Sequence, residues 1–244
     1  MNSGVVLKQF TDSFGSFSVE DLIYAGRKSR VLFSGPLRSA QSGIPLDDDP
    51  RMLFDYNQQL LELALELDPK SILVLGGGAL TLPQALLGRL PDCQIVAVEI
   101  NPNMVKIAAE FFSYEPNPRL KVVVEDAARF LSRAKAQRYE LIITDLFDNL
   151  AIPQYFLSAD FAAQLNRVRE SSGLIATNCI AAISGNYARP LLELVASYET
   201  AIARPRVVRV DGDRFMNWTP QNLLILAGEK SDSVLPGLGA VSLS

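Results

Sequence analysis

The chain has 244 residues, 48% hydrophobic and 20% charged, which suits one core-bearing domain with a small appendage. A formal net charge of −4 argues against nucleic acid as a main partner, and no apolar run approaches the roughly 18 residues of a membrane span. The absence of histidine excludes His-based triads and His metal sites, while Cys93 and Cys179, in or beside apolar strand patterns, read as reduced core residues consistent with a cytoplasmic protein.

Residues 4–35 alternate apolar and polar side chains between turn signals. The pattern predicts strands at Val5–Phe10, Ser16–Tyr24 and Arg30–Ser34, a small antiparallel β-hairpin region within residues 1–50. Gln41–Pro50 reads as a loop, its Asp47-Asp48-Asp49 run a solvated cluster ahead of the next helix. Apolar residues at helical spacing predict a helix over Met52–Leu67, closed by Asp68-Pro69.

From Lys70 onward the pattern alternates regularly. Strands are expected at 71–75, 94–98, 119–124, 139–144 and 172–178, with helices starting near Leu80, Pro102, Asp126 and Ser158. This predicts an α/β fold, a doubly wound and mostly parallel sheet over residues 51–230. A helix over Tyr187–Ala201 precedes Arg206–Val210 and Asn222–Ala227, which should pair as a closing antiparallel hairpin. Residues 231–244 are small and polar and read as a flexible, frayed tail.

Ligands of such sheets bind at the carboxyl ends of the strands. The first of these strands ends in Gly76-Gly77-Gly78, where a sharp turn lets backbone approach a ligand at a helix N-terminus. Twenty-one residues after Gly78, Glu99 closes the second strand, a spacing suited to accepting hydrogen bonds from both ribose hydroxyls of an adenosine. The third strand is followed by Glu125-Asp126-Ala127 and the fourth by Asp145-Leu146-Phe147-Asp148. Every strand end is glycine or acid, which points to a nucleoside site with carboxylates beside it. With only two isolated cysteines and scattered acids, no metal is expected.

These residues resemble the spermidine synthases, aminopropyltransferases built on the class I S-adenosylmethionine-dependent methyltransferase fold, a Rossmann-like seven-stranded sheet. The resemblance spans roughly residues 30–228. It rests on Gly76–Gly78, Glu99, Asp126-Ala127, Asp145, Asp148 and Ser158, with Arg30-Val31-Leu32 and Gln41 matching the family's hairpin and nucleoside-facing glutamine. It implies that decarboxylated or intact S-adenosylmethionine is the donor, held at its ribose by Glu99 and at its adenine by Asp126. It further implies that Asp145 takes the proton of an attacking small-molecule amine, that Asp148 anchors a polyamine, and that a homodimer forms through the N-terminal sheet. Tyr56 falls in the segment where the family carries Tyr-His-Glu, and is either a substrate-binding residue or a packing aromatic. Ala79 replaces the family's acid in the glycine motif, which implies relaxed discrimination between the two donors. A methyltransferase and a catalytically silent nucleoside-binding homologue remain as alternatives.

Overall fold

The computed structural model describes residues 4–147, 152–210, 215–238 and 240–241. Two sheets are present. The first is antiparallel and four-stranded, with β1 (Val5–Asp12), β2 (Gly15–Tyr24), β3 (Arg27–Ser34) and β4 (Ser39–Pro45) in sequential order. The fourth strand lies where the sequence predicts a loop. Its Ser-Ala-Gln-Ser-Gly run offers little alternation, yet it pairs with β3 through a bulge at Leu32/Phe33. Gly43 is small there for a reason, since a Cβ would overlap the Leu53 side chain that packs down on the strand.

The second sheet contains β5 (Ser71–Leu75), β6 (Gln94–Glu99), β7 (Leu120–Val124), β8 (Tyr139–Thr144), β9 (Arg169–Ala181), β10 (Arg206–Arg209) and β11 (Gln221–Ala227). Its order is β10-β11-β9-β8-β5-β6-β7, with β5–β9 parallel to one another. Strand β11 runs antiparallel between β9 and β10. The expected hairpin therefore forms, and it inserts its second strand into the sheet.

Among the described residues, six α-helices cover the two faces: α1 (Asp55–Leu67), α2 (Thr81–Arg89), α3 (Pro102–Phe111), α4 (Ala127–Arg133), α5 (Ala159–Val168) and α6 (Arg189–Ala201). Alternation along β5 sends Ile72 and Val74 into one core with Leu60, Leu86 and Ile107, and Leu73 and Leu75 into the other with Phe130 and Phe161. Helix α1 begins at Asp55 rather than Met52, because the Gln58 side chain accepts the Met52 N–H and holds the preceding residues out of the helix. Helix α6 begins at Arg189, after a 3-10 turn at Asn186–Ala188, with Pro190 in its first turn.

Polar side chains fix several helix starts. Asn101 caps α3 through the Asn103 N–H, and Ser158 caps α5 through the Phe161 N–H. The start of α2 is different. Leu80, fully buried, caps it in a left-handed conformation at φ 59°, so full burial of a leucine offsets a backbone cost of about 1–2 kcal/mol.

The segment after β11, where fraying is the sequence expectation, is anchored at a few of its described residues and exposed at the others. Val234 and Leu235 are buried, and the Arg206 guanidinium donates to the carbonyls of Ser231, Val234, Leu235 and Leu238. One arginine thus satisfies backbone acceptors that composition alone leaves to water.

Candidate active site

A cavity of about 1070 Å³ opens at the carboxyl ends of β5, β6, β8 and β9, with β4 and the start of α1 across from them. Its floor is the glycine turn. Gly76 and Gly77 both donate to the Val98 carbonyl, at 3.0 and 3.1 Å, which folds the turn back over β6. Gly76 sits at φ +91°, and a Cβ there would collide with the backbone carbonyl of Asp145. Strand β4 reaches the same turn, with Ser42 Oγ accepting the Ala79 N–H at 3.0 Å.

Glu99 is 8% exposed, and both of its oxygens are held by backbone. Oε2 accepts from Gly78 N–H at 2.7 Å and Oε1 from Asn101 N–H at 2.8 Å. Burial raises its pKa, opposed by the N–H groups of Asn101, Gly78, Ile100 and Gly77. The N-terminal sheet braces this corner, because Asp12 Oδ2 accepts from Asn101 Nδ2 at 2.9 Å and from Asn103 Nδ2 at 2.8 Å. Gln41, Asp126 and Ala127 line the same end of the cavity. One oxygen of Asp126 caps α4 through the Arg129 N–H at 2.9 Å, leaving the second for another donor.

Asp145 stands at the end of β8, its N–H completing the ladder to the Leu75 carbonyl at 2.8 Å. Its carboxylate has two neutral donors: Tyr56 Oη at 3.1 Å on Oδ2 and Asn178 Nδ2 at 2.9 Å on Oδ1. Burial raises its pKa, and the Asn178 and Tyr56 hydrogen bonds pull it back down. Burial, then the neighbouring Asp145 charge, lifts the Tyr56 hydroxyl well above its ordinary pKa, so it stays a neutral donor at physiological pH. This is a partly buried carboxylate oriented by two side chains and lining an open cavity, an arrangement that can accept a proton.

The sequence-predicted residues Gln41, Tyr56, Gly76, Gly77, Gly78, Glu99, Asp126, Ala127 and Asp145 thus all line one cavity. Asp148 lies outside the described residues. Ser158 caps α5 rather than joining the cavity wall. Ala79, fully buried, packs in the core beside Leu80 and does not line the cavity. Sequence reasoning missed other lining residues, among them the carboxamides Asn57, Asn178 and Asn222, which carry no signature until their neighbours are known. Among the described residues, no three His, Cys, Asp or Glu side chains come together to hold a metal ion. No helix there is long and apolar enough to cross a membrane.

Comparison with known proteins places these features in context. The family model of the spermine/spermidine synthase domain matches residues 53–195. A polyamine aminopropyltransferase of Vibrio vulnificus is 31% identical over 133 residues, 53% of this chain and 44% of that protein. A putrescine N-methyltransferase of Nicotiana tabacum is 30% identical over 132 residues, 51% of this chain and 37% of that one. The chain spans about half the length of the curated relatives it matches. In fold, it resembles the crystal structure of a probable spermidine synthase from Corynebacterium glutamicum, with a TM-score of 0.77 at 19% identity, covering 91% of this chain and 80% of that one.

Proposed function

The chain belongs to the spermine/spermidine synthase family, and from that premise we propose that it transfers an aminopropyl group from decarboxylated S-adenosylmethionine to an amine such as putrescine. The observation that carries this reading is Asp145, a partly buried carboxylate held by Tyr56 and Asn178 in the wall of a cavity of about 1070 Å³.

In this reading Glu99 takes the ribose hydroxyls and the free oxygen of Asp126 the adenine amino group. The turn at Gly76–Gly78 offers the nucleoside bare backbone, and the absence of a Cβ at Gly76 lets that turn pack against the Asp145 carbonyl. The amine attacks the carbon beside the sulfonium. Its lone pair forms the new C–N bond, the C–S pair stays on sulfur to give neutral methylthioadenosine, and the proton passes to Asp145. Burial strengthens that carboxylate as a base, while two neutral donors keep it ionised and aimed. Asp148 is proposed as a second carboxylate for the amine. Strand β1, with Val5 62% exposed, is the proposed contact of a homodimer.

The direct test supplies putrescine with either donor and identifies the products by mass spectrometry. Spermidine and methylthioadenosine from the decarboxylated donor are the expected products, and their absence sinks the proposal. A second reading, methyl transfer from intact S-adenosylmethionine, is favoured by one observation. The side chain at Ala79 is buried off the cavity, and acids that could replace the missing one are otherwise engaged: Glu125 with Arg133 and Arg129, Asp47 and Asp49 with Arg27. N-methylputrescine as the product would establish it.

Glu99→Ala is expected to weaken methylthioadenosine binding about ten- to hundredfold, the worth of charge-assisted hydrogen bonds. The same change strips the Gly78 and Asn101 N–H groups of their acceptor, so the turn itself should loosen. Calorimetry on both proteins reads the first effect and a thermal melt the second.

Tyr56→Phe removes a donor that lowers the pKa of Asp145. A base works only when deprotonated, so activity is lost as pH falls through that pKa. The acid limb of kcat/KM should therefore move to higher pH in the variant. An unmoved limb would mean that Tyr56 does not tune the base.

A further inference from the structure

The β1–β2 hairpin ends in a two-residue turn, Ser13-Phe14, between the paired residues Asp12 and Gly15. Phe10 and Phe17 stack across the strands behind it, with ring centroids 5.0 Å apart. Among the described residues, those two rings also pack on the hydrophobic core, and Phe14 does not. Phe14 is 44% exposed and lines the cavity. Ile100, which follows Glu99, is 48% exposed and lines it too. Tight turns favour glycine, proline and small polar residues for backbone reasons, and none of those reasons applies to phenylalanine. An apolar ring at this tip, within reach of anything in the cavity, is a contact surface.

One carboxylate fixes where that ring sits. Asp12 accepts the Phe14 N–H at 2.8 Å, which closes the turn. It also accepts from Asn101 Nδ2 at 2.9 Å and Asn103 Nδ2 at 2.8 Å, at the start of α3. Asn101 follows Ile100 directly, and its own N–H is held by Glu99. The turn is therefore tied to the corner that ends β6. Asp126 and Ala127 line the cavity from the end of β7, the strand beside β6. A flat base in this corner has polar edges, which Asp126 can meet, and two faces that only apolar side chains can cover.

We propose that Phe14 covers one face of the donor's adenine, with Asp12 as the residue that positions it. The proposal rests on the nucleoside part of the transfer reading and adds to it a contact from the N-terminal sheet. Stacking on an aromatic ring recognises a planar base whatever its hydrogen-bonding pattern, so Phe14 supplies affinity while Glu99 and Asp126 supply orientation. A ring laid over the base also keeps water from that corner, which strengthens the hydrogen bonds made there.

The test is calorimetry and fluorescence on the full chain with methylthioadenosine. Phe14→Ala should weaken binding about tenfold, and Phe14→Trp should keep the parent affinity. The second variant also carries a direct signature. The chain has one tryptophan, Trp218, which does not line the cavity, so the parent protein is the blank. Methylthioadenosine should quench the added indole, and methylthioribose, which lacks the base, should not. Asp12→Ala should cost a similar factor, and combining it with Phe14→Ala should cost no more than either alone, because both remove one contact. Parent affinity in Phe14→Ala, a Phe14→Trp chain no tighter than Phe14→Ala, or an indole that saturating methylthioadenosine leaves unquenched overturns the stacking role. Additive losses in the double variant overturn Asp12 as its positioning residue. Failure of the aminopropyl-transfer reading looks different: the quench and the affinity losses persist, and no aminopropylated product forms from putrescine.

Discussion

Turnover of Asp145→Asn should fall by about 10²–10⁴-fold, the range for losing a positioned general base, while methylthioadenosine binds as before. The substitution keeps the shape of the side chain and its place at the end of β8. It removes the charge, and with it the acceptor that Tyr56 and Asn178 share. One amide oxygen can still accept from one of them, while the new NH2 faces a donor, so a modest loss of stability should accompany the loss of rate. Single-turnover kinetics with preloaded donor isolate the chemical step, and calorimetry reads the nucleoside. Normal turnover with the preferred amine would remove Asp145 from the role of base.

The second large effect is on folding. Gly76→Ala combines a φ of +91°, disfavoured for any side chain, with a direct clash between the new Cβ and the Asp145 carbonyl. That carbonyl cannot retreat cheaply, because the Asp145 N–H is tied to Leu75 in the β5–β8 ladder. A loss of about 3 kcal/mol or more is expected, read as a lowered urea midpoint at unchanged slope. Any activity that survives should also drop, since the clash pushes on the backbone of Asp145, the proposed base. A midpoint within experimental scatter of the parent chain would show that the turn relaxes freely.

The parts of the fold that the sequence made legible are those where one physical signal dominates. The parallel strands are mostly apolar runs, and three of the helices, α3, α4 and α5, begin at the polar caps Asn101, Asp126 and Ser158. Strand β4 was illegible because its partner, not its own composition, makes it a strand. The anchoring of the segment after β11 was illegible because Arg206, some thirty residues upstream, holds its carbonyls. In the site, glycine and acid at strand ends could be read directly. Asn57, Asn178 and Asn222 could not, because a carboxamide in a strand or helix carries no signature until its neighbours are known.

The late insertion of β11 between β9 and β10 has a consequence for how the protein is made. While a nascent chain ends short of Gln221, β9 presents an open edge with its hydrogen-bonding groups unpaired, in a sheet that is otherwise ready to assemble. Pairing across that gap joins Ile175 to Ala227, a closure over some fifty residues that must await synthesis of residues 221–227. Asn222 arrives with the same strand. Completion of the cavity wall is thereby coupled to a long-range step of folding, and a chain stalled before Gln221 would expose an aggregation-prone strand edge without yet having a complete cavity.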